Sequence, residues 1–171
     1  MKIKTERVSP LLEMEVLQQF RLIYGSLRQY FRLVEERCGM PGSQMWMLQE
    51  VQRSPEIGIG ELAARIGVHQ STASLLVDKL VVQGYLSKSR QNVDLRRVGL
   101  CLTERGLEAL AALPGPAEGI LPAALADLPE VVLKTLHINL DELIRHLPGR
   151  DDSCTGTPLA EMIESRKLPN E

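Results

Sequence analysis

Within ten residues the chain sets four cations, Lys88, Arg90, Arg96 and Arg97, against one carboxylate, Asp94. A positive patch of this kind meets a phosphate backbone, which gives affinity without sequence information. Arg96 is the sharpest candidate, because an arginine at the tip of a ribbon enters a narrow minor groove where the negative potential is enhanced. Asp94 cannot attract phosphate by its own charge and is read as orienting Arg96 through a charge-assisted pair. Lys88, Arg90 and Arg97 are assigned to phosphate. The bland alternative is a solvated hairpin with no ligand. Some twenty residues upstream lies a polar row, His69, Gln70, Ser71, Thr72 and Ser74. Glutamine pairs bidentately with adenine, and serine or threonine bonds bases or phosphates, although such residues also simply cap and solvate helices.

No second chemistry competes. His69, His137 and His146 lack the spacing of a zinc site or a triad, and there is no glycine-rich phosphate loop, so the reading is no enzyme and no cofactor. Cys38, Cys101 and Cys154 have neither metal-ligand nor CxxC spacing. Cys38 is the one candidate for an oxidant-sensing thiol, but a helix C-terminus raises a thiol pKa and disfavours the reactive thiolate. The net charge of −2 is unhelpful to a nucleic-acid binder, and only the clustering of the basic residues supports one. With no apolar run near the ~20 residues of a membrane span and no signal segment, a cytoplasmic protein is expected.

The polar and basic groups need a scaffold, which residues 60–106 supply. In GELAARIG, Leu62, Ala63 and Ile66 share one helical face before a break at Gly67–Val68. A second helix begins near Gln70 with Ala73, Leu76, Val77 and Leu80 at three-and-four spacing, and Gly84 suits its left-handed end. Two short helices about a glycine turn are a helix-turn-helix, whose second helix lies in the major groove. Leu86–Arg90 and Arg97–Leu102 then read as two strands joined through Gln91–Arg96, a basic wing beside that helix. Thr103 N-caps the next helix, with Glu104 in its first turn.

The flanks are helical. Residues 11–37 repeat Leu17, Phe20, Tyr24, Leu27, Phe31 and Val34 at helical spacing, and Gly39-Met40-Pro41-Gly42 ends the pattern. Ser43 is expected to cap a helix containing Trp46, Leu48 and Val51 that stops before Pro55. Ile57–Ile59 is a candidate third strand. Beyond Thr103, Leu107, Leu110 and Leu113 lie on a helix broken at Pro114-Gly115-Pro116. A second piece, Ala117–Leu128, contains Pro122. Pro129 suits the first turn of the last helix, where Leu133, Leu136, Leu140, Leu143 and Leu147 repeat as a heptad seam, either a core face or a subunit seam. From Pro148 the composition becomes that of a linker, with a short helix through Leu168 or disorder as alternatives. With 44% hydrophobic but only 4% aromatic residues, aliphatic side chains must fill the core.

The run Asp94-Leu95-Arg96-Arg97 followed by Leu100-Cys101-Leu102-Thr103-Glu104-Arg105-Gly106 resembles the D-x-R-[RS]-x-x-L-x-L-T-x-x-G signature of the MarR (multiple antibiotic resistance regulator) family. Glu61-Leu62-Ala63, Leu76-Val77-Asp78-Lys79-Leu80 and Gly84-Tyr85-Leu86 fall at matching distances, and the likeness covers roughly residues 11–147. It implies a mainly α fold with a small β wing. Residues 1–147 would form the winged-helix domain, with a DNA-binding lobe at about 43–102 and dimerisation helices at about 11–37 and 103–147. Residues 148–171 would be a tail. It further implies a homodimeric regulator, a repressor more often than an activator, on a pseudo-palindromic double-stranded site, with Lys79 added to the DNA-contacting set. It implies a pocket for small aromatic acids or phenolic compounds, for which Arg21, Tyr24, Arg28, Tyr30 and Trp46 are candidates. Two departures stand out: Leu75 where many members carry a groove-reading arginine, and His69 where aspartate often starts the helix. The rival readings are a protein-interaction module with weak DNA binding and a thiol-based redox regulator.

Overall fold

The computed structural model describes residues 10–90 and 98–164. Its hub is α2 (Gly42–Arg53), whose Met45, Met47, Leu48 and Val51 are fully buried. The helix begins two residues earlier than a Ser43 cap implies, and Ser43 is not its cap. Pro41, with φ −59°, precedes it, and the Pro41 carbonyl accepts the N–H groups of Gln44 and Met45. Ser43 is instead buried and donates to Glu161 Oε1 at 2.6 Å.

The first helix, α1 (Pro10–Cys38), buries only Leu27, Phe31 and Val34, so its apolar residues from Leu11 to Tyr24 face outward. The helix-turn-helix is α3 (Ile59–Ile66) and α4 (Gln70–Val82), with Leu62, Ala63, Ile66, Ala73, Val77 and Leu80 buried between them and α2. Gly67 and Gly84 both adopt the left-handed conformation that ends these helices, with φ +69° and +78°. At α4 the closure is complete: Tyr85 N–H bonds Leu80 O and Gly84 N–H bonds Val81 O, satisfying carbonyls that a helix end leaves open.

The ribbon pairs β1 (Leu86–Arg90) with β2 (Val98–Leu102) antiparallel, Leu86 opposite Leu102 and Arg90 opposite Val98. Leu86 and Leu100 anchor it to the core. The expected third strand is reduced to one bridge, Ile57 to Leu100, because Ile59 already opens α3. Thr103 caps α5 (Glu104–Ala111) as expected, accepting the Gly106 N–H at 3.1 Å.

Pro114–Pro116 does interrupt the chain, and the second piece is shorter than expected, α6 (Ile120–Ala126). Pro122 is its third residue, where a missing N–H costs no intrahelical bond, so it leaves α6 unbroken. Pro129 stands just outside α7 (Glu130–Arg145) rather than in its first turn. No residue of α7 is buried. The chain then turns back through a 3-10 turn (Asp152–Gly156) to α8 (Leu159–Glu164), which packs on α2 and α1 beside Phe31 and Leu27.

Candidate nucleic-acid interface

The exposed side of α4 is set by its buried one. With Ala73, Val77 and Leu80 turned inward, Gln70, Ser71, Leu75, Asp78, Lys79 and Val82 face solvent, while Thr72 and Ser74 are half-buried along its edge. Leu75 is 73% exposed, so it contributes little to the packing of the protomer. Val82 is 88% exposed. His69 precedes the helix, and its carbonyl accepts the Ala73 N–H at 3.0 Å.

The ribbon lies directly after this helix. Lys88 Nζ contacts Asp78 Oδ1 of α4 at 2.6 Å, an exposed pair that links the ribbon to the helix. Such pairs are weak, so a phosphate can compete for the ammonium. Arg90 ends β1. Asp94, Arg96 and Arg97 lie outside the described residues, as does the whole tip between the strands. Arg105, which sequence reasoning misses, sits beyond the C-terminal end of α4. Its guanidinium lies 4.5 Å from the Tyr85 ring centroid, and its Nη1 donates to Gln83 O at 2.8 Å. A cation beside helix-terminal carbonyls is electrostatically favoured, and its place just after the Thr103 cap was the available signal.

Of the residues read as ligand-binding, the structure brings Trp46 to a cavity of about 470 Å3 between α1, α2, the α6 region and the tail. Leu27, Phe31, Pro122 and Met162 give it apolar walls, and Glu118 supplies a carboxylate. Tyr30 turns elsewhere, donating to Pro116 O at 2.5 Å, and burial pushes its hydroxyl pKa up. Arg21, Tyr24 and Arg28 stand exposed on α1, apart from the cavity lining. Burial also pushes the Cys38 thiol up, only partly opposed by Arg37. Among the described residues no cluster of histidine, cysteine and carboxylate is arranged to hold a metal. No described helix is long and apolar enough to cross a membrane.

Residues 39–97 match the MarR family. No curated protein matches the chain. Among solved structures, Sco3205, a MarR family transcriptional regulator from Streptomyces coelicolor in complex with DNA, is 22% identical. It superposes with a TM-score of 0.55 over 88% of this chain and 97% of its own. YusO from Bacillus subtilis gives 0.51 at 17% identity, covering 82% of this chain and all of that one. A mutant MarR from E. coli complexed with operator DNA gives 0.50 at 21% identity over 76% and 96% of the two chains. At these identities the likeness is one of fold, and it agrees with the helix-turn-helix and ribbon described above. Across residues 39–97 the chain is thus similar to the MarR family, and its fold is that of a winged helix-turn-helix.

Proposed function

We propose that this chain is a cytoplasmic DNA-binding transcription regulator, a homodimer that reads a pseudo-palindromic duplex and is released from it by a small molecule. The observation that carries the reading is the solvent-facing polar start of α4, Gln70 and Ser71, beside a ribbon whose strands lead into a basic tip. That is the arrangement in which a helix enters the major groove while a wing reaches backbone or minor groove. Similar folds solved with DNA, Sco3205 and the E. coli MarR mutant, support it.

Dimerisation is supported by the outward apolar faces of α1 and α7, which include Leu17, Phe20, Val132, Leu143 and Ile144. Exposed apolar helix faces of this kind mark an interaction site. A twofold axis would place two α4 helices about one turn of duplex apart. For the ligand, the apolar walls and the single Glu118 carboxylate of the cavity suit a neutral phenolic compound better than an aromatic acid. Such a ligand shifts DNA affinity only by as much as it discriminates between two dimer geometries. Repression rests on the family resemblance.

The exposed apolar pair Leu75 and Val82 favours one second reading, a surface of α4 that binds a protein. Selection of a duplex from a random-sequence pool, followed by titration of Arg96→Ala, separates the two. The regulator reading expects a recovered consensus site and a loss of about 1–3 kcal/mol in the variant. Unchanged binding by Arg96→Ala would remove that residue from the interface, and recovery of no duplex would favour the protein-binding module.

A further inference from the structure

The segment after α7 does not hang from the domain. It folds back to the turn between α3 and α4, beside the start of the helix that, in the proposed function, meets DNA. The carbonyl of Gly156, the last residue of the 3-10 turn, accepts the backbone N–H of His69 at 3.2 Å. His69 immediately precedes α4, whose N-terminal residues are those that reach base edges in a helix-turn-helix. The fit is close enough that any side chain at Gly156 would collide with the His69 imidazole.

Two anchors hold the segment farther along. Glu161 accepts the buried Ser43 hydroxyl, and Ala160, 3% exposed, packs with Leu27 and Phe31. Beneath the segment lies the cavity rather than solid core, with Cys154, Thr157, Leu159 and Met162 among its lining. The segment is therefore held by the Ala160 cluster and two hydrogen bonds, with part of its inner face over open space. Asp151 caps its 3-10 turn and Asp152 opens it; with Arg150 paired to Asp152 at 2.9 Å, the exposed group keeps a net negative charge that disfavours an approaching phosphate backbone.

We propose that residues 148–164 form an intramolecular strap that competes with DNA for the N-terminal end of the recognition helix, holding the protein in a weaker-binding state until it lifts. Gly149, with φ +67° between Pro148 and Arg150, is a natural hinge where the strap leaves α7. The inference rests on the DNA-binding reading. It predicts that affinity is reduced by the fraction of molecules whose strap is docked.

The test uses the full chain. Ala160→Glu forces a carboxylate into the small buried cluster and should lift the strap, and Gly156→Ala should displace its other end from His69. Both variants and the parent are titrated against the duplex recovered by selection, with amide exchange at His69 reporting strap release. The expected result is faster His69 exchange together with duplex affinity raised about fivefold or more. Ala160→Glu adds negative charge, so a gain in affinity cannot come from electrostatic attraction. If Ala160→Glu loses its cooperative melt, Gly156→Ala carries the comparison. Faster His69 exchange with unchanged or weaker binding overturns the strap and leaves the regulator reading intact, and so does unchanged exchange in both folded variants. Failure of every form to bind any duplex overturns both.

Discussion

Gln44 is 1% exposed on α2, and neither its amide nitrogen nor its amide oxygen meets a hydrogen-bond partner among the described residues. Leaving a buried polar group unsatisfied costs about 1–3 kcal/mol. Gln44→Met, which keeps the length and removes the amide, should therefore raise stability by ~1 kcal/mol, or Tm by about 2–4 °C. A lower Tm would mean that the amide is satisfied in solution. The opposite situation holds at Glu50, buried on the same helix. Its carboxylate meets Arg53 at 2.9 Å and Arg65 at 3.5 Å, tying α2 to α3. Cys38 makes the third case. Burial keeps its thiol protonated at neutral pH, so Cys38→Ser should leave DNA binding unchanged with or without peroxide. An oxidant response that disappears in Cys38→Ser would establish the thiol switch instead.

At the scale of elements, α7 and the first half of α1 leave their apolar residues exposed in the protomer. Leu143 on α7 is 41% exposed, and the helix buries no residue. Leu143→Asp should therefore leave the protomer's melt nearly unchanged while shifting sedimentation from dimer to monomer. A wild-type chain that already sediments as a monomer would contradict the dimer. The helix-turn-helix was legible because its signals are local: three-and-four spacing, glycines at Gly67 and Gly84, and a threonine cap at Thr103. Ser43 misleads for the same reason. A serine before an apolar run looks like a cap, and only a partner 118 residues away accounts for its burial. The spacing of Leu159, Met162 and Ile163 signalled a short amphipathic helix, but not where α8 docks, since Ala160 meets Gly42, Leu27 and Phe31 at distant points of the chain. Likewise the Lys88–Asp78 pair joins a strand to a helix, and neither sequence pattern alone contains it. The heptad on α7 was visible, but a leucine seam reads the same whether it faces its own core or another subunit. The exposure of α7 in the protomer supports the second.

For the whole molecule, the central claim is that a chain of net charge −2 binds duplex DNA through a locally basic face. The unfavourable overall charge makes salt dependence the most direct measurement. Each phosphate neutralised releases condensed counterions, so log affinity falls linearly with log salt, by roughly 0.9 per contact. The full-length protein should be titrated with its selected duplex across a series of salt concentrations. The expected slope is about −5 or steeper, as two wings and two recognition helices neutralise phosphates together. A flat dependence, or affinity no greater than for unrelated duplex, would contradict it and leave the exposed face of α4 as a surface for protein.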